Sequence, residues 1–345
     1  MMVIGIDAHK RSHTAVAVDD NGRQRAAKTV GTTTQDHLRL LQWAASLDGE
    51  RLWAIEDCRH MTRRLERDLI AAGESVVRVS PKLMAEVRDS ARTYGKSDPI
   101  DALAVARAAL REPDLPIARL DGVERELRLL VDHREDLVAE RTRIISRLRW
   151  HLHELDPAWT PPAKMERSSA FDAVAAHLGI CGQGTLVGRL ALRLAEHLRT
   201  LTLEIDELTV EITERVTTVA PSLLAIVGCG ALTAAKIVGE TAQVRRFRSK
   251  DAFARLNGTA PLPVWSSNKQ RHRLSRTGNR QLNAALHRIA MTQARMHPPA
   301  RELLARRKSG GDGGMEALRV LKRRLSDVVY RAMLTDQNPP TTAAA

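Results

Sequence analysis

The chain has 345 residues, room for two or three domains, with a formal charge of +13 and a pI of about 10.3. That excess favours a polyanionic partner, and aromatics at 3% exclude base stacking on aromatic side chains as the main binding mode. No apolar run approaches the ~18 residues that span a bilayer, so no membrane partner is expected.

The start reads as a strand carrying Asp7 early, not as a signal peptide. Cys58, Cys181 and Cys229 lie far apart without metal-ligand spacing, as reduced thiols of a cytosolic protein would. The expected location is the cytoplasm, in association with the nucleoid.

Val3-Ile4-Gly5-Ile6-Asp7 reads as a short buried strand, residues 2–8, that ends in a carboxylate. A charge at the end of a buried strand requires a cation or a fixed hydrogen-bond partner. A second apolar run, Thr14–Val18, leads to Asp20-Asn21-Gly22, a hairpin turn signal, and a third strand is expected around Lys28–Val30. Residues 34–47 have helical spacing, with Leu38, Leu40, Leu41 and Ala44 on one side. Leu52–Glu56 is another short strand ending in an acid. A helix over 60–72, a strand over 75–80 and a helix opening at Pro81 follow. Three antiparallel strands and then alternating helix and strand give the order of a ribonuclease-H-like fold, in which functional groups gather at strand ends. Downstream, Asp98 stands before Pro99 at a helix start, a good cap position, and Asp101 is one turn further on.

From 120 to 155 apolar residues recur at heptad spacing, through Val123, Leu130, Leu137 and Ile144 and through Leu127, Leu148 and Leu155. Arg134, Arg141 and His151 interrupt that seam. Residues 186–219 form a second long helix, with Leu194, Leu201 and Leu208 in one row and Leu198, Ile205, Ile212 and Val219 in the other. Such helices make a coiled-coil arm or dimer stalk, or a helical hairpin within one chain. Gly228-Cys229-Gly230 between two apolar helices resembles a helix-hairpin-helix, whose Gly turn brings backbone N–H groups to a phosphate; a plain helix–turn–helix connection is the alternative.

Residues 242–308 hold 16 Lys and Arg against two acids, Asp251 and Glu302, so their +14 exceeds the excess of the whole chain. Within this electrostatic footprint, a Gly/Pro-bounded loop displays Ser266 and Ser267 ahead of Lys269, Arg271, His272, Arg273, Arg276 and Arg280. A serine attacking a phosphodiester needs a proton acceptor and cations on the non-bridging oxygens. Residues 315–335 form a last amphipathic helix, reached through a flexible Ser309–Gly314 linker, and residues 336–345 read as a disordered tail.

Asp7, Glu56, Asp98 and Asp101 form the strongest constellation. Converging carboxylates repel unless cations neutralise them, and an all-oxygen set suits Mg²⁺. An actin-like or sugar-kinase-type ATPase also opens with a strand and an Asp, but Asp7-Ala8-His9-Lys10-Arg11 has no phosphate-cradling Gly. A junction nuclease using water as nucleophile and a non-catalytic nucleic-acid-binding protein remain as alternatives.

GIDAHK, AIED and KSDPIDALAVARA, spaced as they are, resemble the DEDD transposases of the bacterial insertion-sequence "one-ten" family. PLPVWSSNKQRHRLSRTGNRQLNAALHRIA is similar to that family's second conserved domain. The resemblance covers about 1–335. It implies a RuvC-like domain over 1–119, a coiled-coil segment over 120–220 and a C-terminal transposase domain over 221–335. By position, the DEDD acids and Mg²⁺ ligands fall on Asp7, Glu56, Asp98 and Asp101. The family's covalent serine falls on Ser266 if the basic run sets the register, or on Ser267 if Asn268 takes the place of the usual Gly. The nucleic-acid contacts are expected at Lys269, Arg271, Arg273, Arg276, Arg280, Gly228 and Gly230. The resemblance also implies donor and target DNA, a structured non-coding bridge RNA, and a homodimer that pairs into a tetramer.

Overall fold

A computed structural model describes the chain apart from residues 48, 57–60, 82, 85–86, 88–96, 113–114, 116, 119–121, 267–268, 275–277 and 338–345, and gives only the backbone of 263–266 and 269–274. The expected tail, the start of the helix at 60 and most of the helix after Pro81 therefore lie outside the described residues. Two compact units form. The first joins Met1–Gly122 to Gln243–Asn283 and Lys322–Tyr330. The second joins Val123–Ala242 to Ala284–Leu321 and Arg331–Ala345. The stretch 221–335 is thus divided between the two.

The first unit is built on β1 (Met2–Ala8), β2 (His13–Val18), β3 (Gln24–Val30), β4 (Arg51–Glu56) and β5 (Val76–Val79). Their order is β3-β2-β1-β4-β5. The first three strands pair antiparallel, and β4 and β5 join in parallel. This is the ribonuclease-H-like arrangement expected from the strand pattern. Central strands covered on both faces read as continuous apolar runs, as β1 does. One face, through Ile4, Ile6, Trp53 and Ile55, packs on Leu40 of α1 (Thr34–Ala45) and on Leu65 and Leu69 of α2 (Arg63–Ala71). The other, through Val3, Val16, Val18 and Ala54, packs on Ala102, Val105 and Ala106 of α3 (Asp98–Arg111). The turn between β2 and β3 is held by Asp19, whose Oδ1 accepts from the Asn21 and Arg23 amides.

The later segment of this unit carries the second sheet. Where a loop is expected, residues 261–266 form a strand: β6 (Pro261–Ser266) pairs antiparallel with β7 (Lys269–Leu274). Pro261 and Pro263 disguise the strand in sequence, yet a two-stranded ribbon has a free side where a missing N–H costs nothing. The register runs from Pro261 opposite Leu274 to Ser266 opposite Lys269. Just before β6, the helix Lys250–Leu256 is capped by the Ser249 hydroxyl, which accepts from the Ala252 amide. Arg255 of that helix donates to Glu112 at 3.0 Å, and Asn257 donates to Ser326 Oγ at 2.8 Å.

The second unit is helical. Its long members are α4 (Val123–Leu155) and α6 (Leu186–Val219), with α5 (Ser168–Cys181) between them and α7 (Pro221–Leu224) and α8 (Ala231–Thr241) after. The Lys250–Leu256 helix of the first unit is α9, and α11 (Pro298–Ser309) belongs to the second. Helices α10 (Arg280–Met296) and α12 (Gly314–Asp336) contribute residues to both. α4 and α6 pack along each other within one chain. Leu137, Ile144, Leu148 and Leu152 meet Leu198, Leu201 and Ile205 there. The polar break at Arg134 is matched across the pair, where its Nε donates to Thr209 Oγ1 at 2.7 Å. Near the start of α4 the buried stripe runs through Leu127 and Val131 instead of Val123 and Leu130. There α8 also covers α4, and a Cβ on Gly239 would come within 2.8 Å of Arg128 Cα. Lys236 of α8 is almost wholly buried and donates to Asp132 at 3.1 Å and Glu135 at 2.8 Å. Among the described residues no helix is long and apolar enough to cross a membrane.

Candidate carboxylate site and basic hairpin

Side chains alternate along a strand, so Asp7 shares the α3 side of β1 with Val3 and Gly5. Gly5 determines how close that helix comes. A Cβ there would lie 2.2 Å from Ala102 O and 2.4 Å from Ala106 N, so only glycine lets the helix backbone rest on the strand. The Ala-rich helix completes the contact from its side. Its first turn is thereby brought to the end of β1.

α3 starts at Asp98, one residue later in role than expected: Ser97 is the N-cap, and Asp98 is the first helical residue, followed by Pro99. Asp98 Oδ1 lies 3.4 Å from His9 Nε2, which is 3.0 Å from Asp7 Oδ2. One ligand atom from each of Asp7, His9 and Asp98 falls within 4.8 Å of the others. Asp7 is only 5% exposed and Asp101, one turn along α3, only 7%. Burial holds the Asp7 carboxyl above its ordinary value; His9 opposes this, and the charges of Asp101 and Asp98 add to it. Ile6 pairs with Ile55 in the parallel β1–β4 ladder, so Glu56 follows beside Asp7. Glu56 also shares the side of Ala54, which packs in the α3-facing core. Glu56 and Asp101 stand outside the close trio. A partly buried, anionic donor set that raises the pKa of its own deepest member fits a divalent cation, and Asp7, Asp98 and their two neighbours are the residues to hold one.

His9 was not among the residues singled out from sequence. Read in isolation it begins a polar stretch after a strand. The available signal was its spacing: two residues past Asp7, it keeps the same side of an extended chain.

Ser266 is the last residue of β6 and belongs to the same compact unit as the four acids. Lys269, Arg271 and Arg273 take alternate positions along β7, opposite Ser266, Val264 and Leu262, and His272 stands opposite Pro263. Ser267 and Arg276 lie outside the described residues. Arg280 opens α10 and is exposed. Gly228 and Gly230 belong to the second unit. Gly228 has φ +86°, and a Cβ there would come within 2.9 Å of the Thr292 side chain, so turn and packing both require glycine. Gly230 is the N-cap of α8, with open space beside it. The helix before this turn is only the four residues Pro221–Leu224, a shorter first arm than expected. Cys181 and Cys229 are free thiols; burial pushes Cys229 up to about 12, which leaves it unreactive. Cys58 lies outside the described residues.

Comparison with known proteins places these features. A family model described as Transposase, of the DEDD IS110 type, matches residues 4–157. A second, described as Transposase IS116/IS110/IS902 family, matches residues 220–305. An uncharacterized 42 kDa protein of insertion element IS900 from Mycobacterium paratuberculosis is 28% identical, with 99% of this chain and 98% of the relative covered. The uncharacterized 44.8 kDa protein of insertion element IS116 from Streptomyces clavuligerus is 28% identical over the same shares. Among solved structures, RuvC of Thermus thermophilus, free and with a Holliday junction substrate, matches 34% of the chain at 17% and 16% identity and TM-scores of 0.28 and 0.27, covering 100% and 99% of those chains. With both of its conserved regions matched in order, the chain belongs to the IS110 family of DEDD insertion-sequence transposases.

Proposed function

We propose that this transposase cleaves and exchanges DNA strands through a phosphoserine intermediate, guided by a bridge RNA. The observation that carries the reading is the convergence of Asp7 and Asp98 at the end of β1, under a helix seated by Gly5. Asp7, Glu56, Asp98 and Asp101 would hold Mg²⁺. When bound, Mg²⁺ supplies charge neutralisation at the scissile phosphate and Lewis-acid polarisation of its oxygens.

Ser266 is the nucleophile. Its Oγ forms a bond to phosphorus while the phosphorus–oxygen bond to the leaving sugar breaks. The serine proton passes to a base, for which His272 is the nearest candidate in sequence, and the leaving oxygen gains a proton to become a free hydroxyl. After strand exchange, the hydroxyl of the new strand attacks phosphorus and releases Ser266, so the bond count is conserved without external energy. Lys269, Arg271, Arg273, Arg276 and Arg280 neutralise phosphates, and the turn at Gly228 and Gly230 offers backbone N–H groups to a further one. Donor DNA, target DNA and the bridge RNA are the partners, and dimers pair into a tetramer. Membership of the acids and Ser266 in one compact unit supports a single site.

The test is cleavage of a labelled donor junction with Mg²⁺ and the element's own RNA. Asp7→Asn and Asp98→Asn should each lower the rate by at least about a hundredfold, and omitting the RNA should abolish the product. Unchanged cleavage in Asp7→Asn would overturn the acidic-site assignment. Full activity without RNA would overturn guidance.

A further inference from the structure

We infer that His9 is a metal ligand of the transposase site, turning an all-oxygen DEDD set into a mixed oxygen–nitrogen one that favours first-row divalent ions such as Mn²⁺ over Mg²⁺. This rests on the reading of the acids as a cation site. The geometry is specific to the imidazole. Nε2 is 3.0 Å from Asp7 Oδ2 and 3.4 Å from Asp98 Oδ1, so it stands between the two carboxylates rather than beside one. Adjacent ligands of an ion with bonds of about 2.1 Å stand about 3 Å apart, and the two separations from Nε2 are close to that edge.

The chain supports the placement. His9 follows β1 by one residue, and the hydrogen bond from its amide to Ser12 O at 2.9 Å fixes the turn into β2. Its position is therefore set by the same strand that delivers Asp7. Half of the imidazole and half of Asp98 face solvent, which leaves coordination positions open to water and to a phosphate oxygen. The asymmetry in burial orders the ligands: Asp7 is the fixed anchor, and His9 and Asp98 close the exposed side.

The chemistry gives the consequence. Mg²⁺ takes hard oxygen ligands and gains little from an imidazole, whereas first-row divalent ions accept nitrogen readily. A second role follows from the same atoms. Without a cation, the Nε2–Asp7 hydrogen bond and the 3.4 Å approach to Asp98 keep the three side chains together before the ion arrives.

The experiment is Mn²⁺ binding to the full chain, followed by electron paramagnetic resonance, in wild type, His9→Gln and Asp7→Asn. Wild type should bind Mn²⁺ in an Asp7-dependent way and show electron spin-echo modulation from a directly bound ¹⁴N. His9→Gln should lose that modulation and bind Mn²⁺ about tenfold more weakly or worse, while the Mg²⁺ concentration that protects the chain from thermal unfolding changes little. Asp7-dependent Mn²⁺ binding without nitrogen modulation, and with equal affinity in His9→Gln, would overturn the role of His9 and leave the carboxylate site standing. Mn²⁺ binding indifferent to Asp7→Asn would overturn both.

Discussion

Replacing Gly5 with alanine should separate the acids without touching any of them. The new Cβ would start 2.2 Å from Ala102 O and 2.4 Å from Ala106 N, whereas ordinary contact begins near 3.4 Å. Both obstacles are helix backbone, so no rotamer change relieves them, and α3 must withdraw from β1 by about 1 Å. Overpacking of this kind costs about 1–3 kcal/mol, and the rigid obstacle argues for the upper end. The withdrawal also carries Asp98 and Asp101 away from Asp7, and a misplacement of about 1 Å at a reacting centre costs about a hundredfold in rate. Urea denaturation would read the stability loss, and single-turnover cleavage of a labelled junction the rate loss. Gly179→Ala is the control: nothing lies within 4 Å of a Cβ there, and the position is helical, so stability should rise by up to about 1 kcal/mol with cleavage unchanged. Wild-type stability and cleavage in Gly5→Ala would refute the idea that close strand–helix contact sets the carboxylate spacing.

Two further perturbations address the first unit. His13 is 1% exposed, and burial foremost, with His37 and His9 adding to it, lowers its pKa from 6.5 to about 4. The unfolded chain binds that proton first, so stability is fully present above about pH 6.5 and falls as pH drops toward 4, by about 3 kcal/mol for this group. Urea midpoints across that range should fall more steeply in wild type than in His13→Asn; parallel curves would refute the assignment. Glu66 is 2% exposed and takes a two-pronged contact from Arg78, with Nη2 at 2.6 Å and Nε at 3.2 Å, while Arg63 stands further off at 3.6 Å. Arg78→Met should cost about 3 kcal/mol by removing the two-pronged contact and leaving that buried charge to the more distant Arg63, and Arg78→Met with Glu66→Gln should recover most of it. Equal stability of the two variants would contradict the buried-pair account.

The sheet was legible because its signals are local. Apolar strands, an Asp-Asn-Gly turn and acids at strand ends set order and direction before any long-range contact is known. The second long helix was legible to the residue, since heptad rows end where Pro221 begins. What escaped depends on distant partners. The β6–β7 hairpin carries two prolines that argue against a strand unless its free side is known. Lys236 lies in an apolar helix and is buried only because α4 supplies Asp132 and Glu135. His9 looked like the start of a loop, and its meaning depends on where Gly5 lets α3 settle. The grouping of Gln243–Asn283 with the N-terminal sheet follows from contacts such as Arg255 with Glu112, which sequence order hides.

The central claim joins the acids of the N-terminal sheet to the serine of the hairpin, and one measurement tests that joint most directly. Full-length protein would be incubated with Mg²⁺, the element's flanking RNA and a labelled donor junction, then denatured and resolved for a covalent protein–DNA adduct. Wild type and Ser267→Ala should form the adduct, and Ser266→Ala and Asp7→Asn should not. Cleavage without an adduct, unaffected by either serine substitution, would contradict the account and leave a nuclease that uses water.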